Sequence, residues 1–308
     1  MESPIKVFGE ALLEAGNRNP NIIAISADSS SGSGLRPFKE RFPDRHLEFG
    51  IMEQGVIGFA SGLATTGKVP FVAAIAPFVT ARPFEMFRND LGYMRQNVKV
   101  VGRCAGLTYS TLGATHQSLD DVAIIRTIPG VVVLNPGDPV TIRKATLAVA
   151  EYKGPAYIKI GSSDMPVLYP DDLHFEIGKG VEMKAGKDVA IFGTGTVLHR
   201  AFEATEILAK DGVDARLVDI HTIKPLDREI VLAVAREIGR IVTVEEHYTA
   251  GGLGSAIAEL LAVECPTPMR MIGVEDQFAS NGPYDQLLGL YGLLSHQIAK
   301  TVKDFLRG

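Results

Sequence analysis

The chain has 308 residues, a mass of 33.1 kDa and a formal net charge of −5, from 31 basic and 36 acidic residues. At roughly 150 residues per domain this length favours two domains, and the acidic balance argues against a nucleic-acid-binding surface, which normally carries a basic excess. Hydrophobic residues make up 46% and charged residues 22%, as in globular rather than disordered proteins.

Three features of the sequence indicate where in the cell the protein is located. The longest apolar run, Val69–Val79, has 11 residues and includes two prolines, whereas a membrane-spanning helix needs roughly 20 apolar residues. The amino terminus shows neither the basic segment nor the apolar core of a secretory signal. Two cysteines, Cys104 and Cys265, cannot form a disulfide framework. We therefore expect a cytoplasmic protein that does not enter a membrane.

Short apolar runs alternate with amphipathic segments through the first half of the chain. The apolar runs predict strands at Ile22–Ser26, Phe71–Ile75, Val98–Gly102, Val131–Leu134 and Ala156–Ile160. The segments between them predict helices at Ile51–Thr66, Arg82–Gln96, Asp121–Thr127 and Asp138–Tyr152. Alternating strands and helices predict a parallel sheet that is covered on both faces.

The stretch from Gly161 to Lys187 contains prolines, glycines and paired aspartates, and it predicts a linker. A second alternation follows, with strands at Val189–Gly193, Asp214–Asp219, Ile241–Glu245 and Met269–Ile272, and helices at Val197–Lys210, Asp227–Glu237, Gly254–Val263 and Ser295–Leu306. The predicted fold class is therefore α/β with two doubly wound domains. Residues 1–165 form the first, with a mostly parallel sheet, residues 166–185 the linker, and residues 186–308 a smaller second domain.

Three loops that follow predicted strands are unusually polar or rich in glycine. They are residues 27–34 (ADSSSGSG), 103–117 (RCAGLTYSTLGATHQ) and 245–254 (EEHYTAGGLG). Ligands of doubly wound sheets bind at the carboxyl ends of the strands, and long loops inside compact domains are usually functional. We expect the functional site among these loops.

Two other kinds of site have weak support. Gly193-Thr194-Gly195 follows a strand and opens a helix, as a dinucleotide fingerprint does, but Leu198 stands where the third glycine belongs, so a steric role for the glycines is favoured. No two of the seven histidines are four residues apart, and neither cysteine has a partner at CxxC spacing. No metal site made by this chain alone is expected.

Glu53 is the most notable single acid in the sequence. It lies in the first turn of a predicted helix, where the helix dipole favours a negative charge, so a plain helix-terminal acid is one interpretation. Its neighbours Ile51, Met52 and Val56 offer few polar contacts, and burial of that kind disfavours a charged carboxyl. Because chains rarely carry that cost without function, Glu53 is also a candidate catalytic residue.

The blocks around Glu53 resemble a known family. His46–Asn89, which contains GIMEQ, and Gly113–Pro139, which contains ATHQ and NPGD, are similar to the pyrimidine-binding domain of transketolases. The segment after residue 185, with DVAIFGTGTVLHRAFEATEIL and with VDIHTIKPLD at Val218–Asp227, resembles the transketolase C-terminal domain. The family uses thiamine diphosphate. Its diphosphate and Mg²⁺ bind through a Gly-Asp-Gly motif that this chain lacks.

The resemblance therefore implies the C-terminal subunit of a split transketolase, active only with a separate N-terminal subunit that carries the Gly-Asp-Gly motif and holds Mg²⁺. The implied reaction transfers a two-carbon ketol unit from a ketose or ketose phosphate to an aldose, and the implied assembly is an α2β2 heterotetramer. One alternative is the β subunit of the first component of a 2-oxo-acid dehydrogenase, and another is a non-catalytic pairing subunit. The GIMEQ and ATHQ blocks favour transketolase over the first, and an intact Glu53 argues against the second.

The resemblance also assigns residues to the cofactor. In the family, the acid matching Glu53 hydrogen-bonds a ring nitrogen of the aminopyrimidine and is catalytic. Phe78 matches the aromatic residue that stacks on that ring, with Ile75 beside it, although Phe78 could instead be plain core. Asp28 matches an acid near the thiazolium, and it could equally be a loop cap.

For the sugar, His116 in the ATHQ block matches a catalytic, substrate-contacting histidine, and Lys6 stands where relatives place a basic phosphate contact. Outside this motif His116 would be interpreted as an ordinary loop histidine. Three positions depart from the family, since Cys104, Leu112 and Ser162 stand where many transketolases have His, Asp and Arg. The cofactor chemistry is therefore better supported than ordinary sugar-phosphate specificity, and either the substrate is an unusual ketose or the contacts come from elsewhere.

Overall fold

Two β-sheets organise the chain, and the structure, a computed structural model, describes residues 1–308. The strands are β1 (Ile22–Ser26), β2 (His46–Glu48), β3 (Val69–Ile75), β4 (Lys99–Arg103), β5 (Val132–Leu134), β6 (Ala156–Lys159), β7 (Val181–Lys184), β8 (Val189–Gly193), β9 (Ala215–Asp219), β10 (Thr222–Lys224), β11 (Ile241–Tyr248) and β12 (Met269–Val274). The helices are α1 (Pro4–Arg18), α2 (Arg36–Arg41), α3 (Glu53–Ala64), α4 (Ala76–Val79), α5 (Phe84–Met86), α6 (Asp121–Arg126), α7 (Pro139–Glu151), α8 (Leu198–Lys210), α9 (Arg228–Ile238), α10 (Leu253–Glu264), α11 (Tyr284–Leu290) and α12 (Ser295–Arg307). A π-helix, Phe87–Tyr93, continues α5, and short 3₁₀ turns lie at Pro43–Arg45, Ser110–Thr115 and Gly195–Val197.

The first sheet has seven strands in the order β10-β5-β6-β4-β3-β1-β2. All neighbouring pairs are parallel except β10 with β5. Its central strands are completely buried, because α1 and α7 pack on one face while α3, α6 and the π-helix pack on the other. Parallel pairing brings the carboxyl ends of β1, β3 and β4 side by side at one edge, which is where the site lies.

Local sequence signals fix the helices that cover this sheet. Ser3 caps α1 by accepting from the Lys6 backbone N–H, with Pro4 at the first helical position. Asp138 and Thr141 form a reciprocal capping box at the start of α7, again with a proline in the first turn. Each cap satisfies backbone donors that the helix cannot satisfy itself.

The second sheet has five strands in the order β12-β11-β8-β9-β7, and only β7 is antiparallel to its neighbour. One core cluster lies under α8 and α12, and another lies under α9 and α10. No helix in the structure is both long enough and apolar enough to cross a lipid bilayer.

The predicted α/β class, with mostly parallel sheets covered by helices, is confirmed. The single helix predicted over Arg82–Gln96 is wrong, because that segment forms the three-residue α5 followed by the π-helix. Seven elements were not predicted from the sequence: α1, α2, α4, α11, β2, β7 and β10. β10 comes from the second half of the chain yet pairs with β5 of the first sheet. The predicted domain boundaries stay predictions.

A buried carboxylate helps to join the two halves of the chain. Glu246 of β11 accepts hydrogen bonds from the Leu107 backbone N–H, the Thr196 hydroxyl and the Tyr284 hydroxyl. The turn at Gly195 packs on the first half as well, since its N–H donates to the Asn135 carbonyl and a Cβ there would lie 2.4 Å from the Asn135 side chain. This contact supports the steric interpretation of the Gly193-Thr194-Gly195 turn.

Lys99 yields a prediction about pH. It is fully buried, and its ammonium group donates to the side chain of Asn97 and to the carbonyls of Tyr152 and Gly154, with no carboxylate within salt-bridge distance. Burial lowers the pKa of Lys99 from 10.5 to about 7. Between those values the unfolded chain holds more protons than the folded one, so the free energy of unfolding should rise with pH, by at most about 1.4 kcal/mol per unit.

Lys99→Met should remove this pH-dependent contribution. We expect the difference between the free energies of unfolding, variant minus natural chain, to be largest at pH 6 and to decrease progressively up to pH 9. Urea denaturation at several pH values measures this, with the exposed Lys300→Met as the matched control. Parallel pH profiles for the Lys99 variant and the natural chain would show that Lys99 keeps its proton throughout.

Candidate active site

A cavity of about 230 Å³ lies at the carboxyl edge of the first sheet. The loops after β1, β3 and β4 and the start of α3 supply its lining, which consists of Ala27, Asp28, Ser29, Ile51, Glu53, Ala74, Ile75, Phe78, Arg103 and Tyr109. The four residues predicted to contact a cofactor, Glu53, Phe78, Ile75 and Asp28, thus line one cavity although they are spread over 51 positions of the sequence.

Glu53 is the first residue of α3 and is only 5% exposed. Its Oε2 accepts a hydrogen bond from Nη1 of Arg82 at 2.9 Å, while its Oε1 has no hydrogen-bond partner. The expectation that Glu53 has few polar neighbours is therefore wrong in one respect. Burial is as predicted, but a guanidinium reaches the carboxylate from the turn after α4, 29 positions along the chain.

Phe78 forms part of the cavity wall. It lies in α4, is half-buried, and does not belong to the buried core. The Arg82 guanidinium carbon lies 4.2 Å from the centre of its ring, a cation–π distance. Since Arg82 follows Phe78 by four residues, the pair repeats the one-turn spacing at which helical side chains meet. Arg82 therefore contacts both the aromatic wall and Glu53.

His116 stands next to this wall. Its ring packs edge-on against Phe78, with centroids 5.2 Å apart, and against Tyr109 at 5.5 Å. Its Nδ1 lies 2.9 Å from the Thr115 hydroxyl. The predicted substrate residue is thus adjacent to the predicted stacking residue, although the two come from different loops.

A buried ion pair anchors the loop that carries His116. The Lys159 ammonium donates to Asp121 Oδ1 at 2.7 Å and to the Ser118 carbonyl at 3.2 Å. The Tyr157 hydroxyl donates to the other oxygen of Asp121 at 2.6 Å. Ser118 also exchanges two backbone hydrogen bonds with Gly106. The end of the His116 loop is therefore fixed to β6 and to the start of α6.

The backbone is strained on two sides of the cavity. Asp28, after β1, and Cys104, after β4, both have φ near +53°, a conformation that non-glycine residues adopt at a cost of about 1–3 kcal/mol and that clusters at functional sites. The Asp28 N–H donates to Glu48 at 2.7 Å, and its own side chain is exposed and not bonded. The Asp28 carboxylate therefore does not act as a loop cap.

Sequence reasoning missed Arg82, Arg103 and Tyr109 as site residues. Arg103 was detectable, because a charged residue ends an otherwise apolar strand and opens one of the three loops singled out above. Arg82 had only its four-residue spacing from Phe78 as a signal. Tyr109 had none.

Lys6, the predicted phosphate contact, and the three positions that depart from the family contribute no charged group to the cavity lining. Lys6 is exposed on α1 and 3.7 Å from Glu10, and it does not line the cavity. Cys104 is buried and accepts a hydrogen bond from Arg103 at 3.0 Å. Leu112 is exposed. Ser162 bonds to Thr108 through its backbone N–H and its hydroxyl.

Comparison with known proteins gives a consistent result. Residues 3–166 match the family described as the pyrimidine binding domain of transketolase, and residues 178–298 match the transketolase C-terminal domain. The chain is 37% identical to one of the subunits of the apulose-4-phosphate transketolase of Phocaeicola vulgatus, over 98% of this chain and 97% of that protein. It is 36% identical to the SqwH subunit of the 6-deoxy-6-sulfo-D-fructose transketolase of a Clostridium species, over 96% of this chain and 92% of that protein.

A solved structure described as a split gene transketolase, in the form of an inactive beta4 tetramer, superposes with a TM-score of 0.93. It is 38% identical to this chain, and the match covers 100% of this chain and 99% of that one.

The Lys159–Asp121 pair gives a prediction for the site. Lys159→Met should lower the free energy of unfolding by about 3–5 kcal/mol, because it leaves a buried carboxylate without its counter-charge. Urea denaturation measures the loss, with the exposed Lys210→Met as control. The double variant Lys159→Met/Asp121→Asn should recover part of it; equal losses in the single and double variants would contradict this account.

Proposed function

The chain belongs to the transketolase family, and we propose that it supplies the pyrimidine-binding half of the active site in a thiamine-diphosphate-dependent split transketolase. The proposed reaction transfers a two-carbon ketol unit from a ketose to an aldose. The observation that carries the proposal is the cavity at the edge of the first sheet, where a buried carboxylate and an aromatic ring lie together.

The residues of the cavity fit an aminopyrimidine ring. Glu53 offers Oε1, which has no hydrogen-bond partner, at a position where it could accept from or share a proton with a ring nitrogen. Phe78 and Ile75 offer apolar surface, and stacking on an aromatic ring contributes about 0.5–1.5 kcal/mol beyond the area buried. When bound, thiamine diphosphate supplies an electron sink for the carbanion of ketol transfer.

The role of this chain's residues follows from their contacts. Arg82 holds one oxygen of Glu53 and so fixes the direction of the other, which must be positioned to handle a proton. We assign His116 to the substrate, since its ring packs edge-on against Phe78 and its Nε2 has no hydrogen-bond partner in the protein.

Two features support a site shared with another chain. The cavity is smaller than the roughly 300–1,000 Å³ of most ligand pockets. Ile51 and Met52, immediately before α3, and Phe59, within α3, are exposed apolar side chains, and exposed apolar surface supports a contact site. We propose that an N-terminal subunit with the Gly-Asp-Gly motif covers this side, binds Mg²⁺ and the diphosphate, and forms an α2β2 heterotetramer with this chain.

The names of the two relatives suggest the substrate class. One is named for a ketose phosphate and the other for a ketose sulfonate. We propose that the substrate of this chain is likewise a ketose that carries an anionic group. The dehydrogenase β subunit remains the alternative interpretation, and decarboxylation of a 2-oxo acid by the reconstituted pair, without ketol transfer, would decide for it.

Glu53→Gln should lower kcat of the reconstituted enzyme by about 10²–10⁴-fold, because the amide can hydrogen-bond but cannot exchange a proton. Glu53→Ala should be at least as damaging. A coupled ketol-transfer assay measures both, with the exposed Glu40→Gln as control. Activity within threefold of the natural enzyme in Glu53→Ala would favour the non-catalytic pairing subunit instead.

The isolated chain should bind thiamine diphosphate weakly. Titration calorimetry with the cofactor and Mg²⁺ should show micromolar or tighter binding only after the N-terminal subunit is added, because this chain lacks the residues for the diphosphate and the metal. Micromolar binding by this chain alone would contradict the shared site.

A further inference from the structure

Arg103 is the only buried arginine of the chain, with 8% of its surface exposed. It is the last residue of β4 and lines the cavity. Its Nε donates to the Ser33 hydroxyl at 2.9 Å and its Nη1 donates to the Cys104 sulfur at 3.0 Å. No carboxylate lies within salt-bridge distance, and Nη2 has no hydrogen-bond partner.

A buried guanidinium without a counter-ion is costly, since its charge has lost water and gained only neutral partners. Two other poorly exposed arginines have carboxylate partners, whereas Arg45, which has none, donates from both of its terminal nitrogens to the Gly16 and Asn19 carbonyls. Arg126 pairs with Glu259, and Arg216 pairs with Glu237. Arg103 differs from Arg45 because its Nη2 has no hydrogen-bond partner and because it lines the cavity of the proposed active site, where a ligand can supply the missing charge.

The surroundings leave room for an anion beside Arg103. Gly32 faces the guanidinium so closely that a Cβ there would lie 3.1 Å from Nη2. Ser29 also lines the cavity, and its hydroxyl is 3.2 Å from that of Ser33. Hydroxyl groups and a guanidinium are the donors that phosphate and sulfonate oxygens accept from. Asp28 lines the same cavity but does not contact Arg103.

We infer that Arg103 binds the anionic group of the sugar substrate, a tetrahedral phosphate or sulfonate at the end of the ketose remote from the carbonyl. This inference rests on the proposed function and names the residue that recognises its substrate class. Arg103 would supply the positive charge that the uncharged Cys104 and Ser162 do not provide.

The test compares a charged and an uncharged ketose in the reconstituted two-subunit enzyme. Arg103→Gln should lower kcat/KM for D-xylulose 5-phosphate by about 10- to 100-fold, mainly through KM, as for a lost hydrogen bond to a charged group. It should change kcat/KM for L-erythrulose, which has no anionic group, by less than threefold. Arg103→Lys should lose less than Arg103→Gln, because the charge remains while the forked geometry is lost.

Two comparison variants and one further substrate sharpen the result. Arg36→Gln removes an exposed arginine paired with Glu40 and should leave both substrates unaffected. The C6-sulfonate analogue of fructose shows whether a sulfonate is recognised like a phosphate. A larger selective loss in Lys6→Gln than in Arg103→Gln would assign the anion to Lys6 and overturn the inference.

Other outcomes also overturn it. Equal losses for both ketoses would give Arg103 a purely structural role. Weaker thiamine diphosphate binding in calorimetry would assign Arg103 to the diphosphate, and weaker subunit association in sedimentation would assign it to a carboxylate of the partner.

The proposed function can fail separately from the inference. If the natural enzyme transfers no ketol unit from any ketose, the proposed function is wrong. Thermal unfolding of the complex with inorganic phosphate then tests Arg103 by itself. Phosphate should raise the midpoint for the natural complex and for Arg36→Gln but not for Arg103→Gln; equal shifts in all three would overturn the inference.

Discussion

A single ion pair between Glu53 and Arg82 sets the conditions for the rest of the candidate site. A carboxylate that is only 5% exposed needs compensation for the water it has lost, and one guanidinium hydrogen bond at 2.9 Å provides it. Because that bond occupies one oxygen, only the other is free to bond a ligand in the cavity that Glu53 lines. Arg82 in turn lies over the Phe78 ring, so the orientation of the acid and that of the aromatic wall depend on each other.

The buried cations of this chain have different partners, and the differences indicate what each one does. Lys159 has a carboxylate and a carbonyl, and it holds a loop in place. Lys99, at the other end of β4 from Arg103, has three neutral oxygen acceptors, and it is a buried cation whose donors are satisfied within the protein. Arg103 differs from both, because part of its donor capacity is unused and faces a cavity. Unused donors beside a cavity, rather than burial alone, distinguish a ligand-binding cation from a structural one.

The sequence predicted much of the fold because the central strands are nearly continuous apolar runs. β1 and β8 begin and end at the predicted residues, since both faces of each are buried. β10 could not be predicted, because three residues carry no periodicity and their pairing with β5 depends on contacts between the two halves of the chain. The segment over Arg82–Gln96 has helical composition, but the local sequence does not distinguish a π-helix from an α-helix.

The residues of the site also differ in whether the sequence alone could identify them. Glu53, Phe78, Ile75 and Asp28 could be named because motif blocks carry them, whereas Arg82 acts through a contact that only the folded turn creates.

The charges of the cavity are arranged in two different ways. Glu53 is compensated by Arg82, so this pair offers one free carboxylate oxygen beside the Phe78 ring without a net charge. Arg103 has no carboxylate partner, and Ser29 adds a hydroxyl group to the same lining. Asp28, the other acid of the lining, has an exposed side chain that is not paired with Arg103. Because one arginine is neutralised by a carboxylate and the other is not, a single small cavity can hold a proton-handling group and an anion-binding group whose charges do not cancel each other.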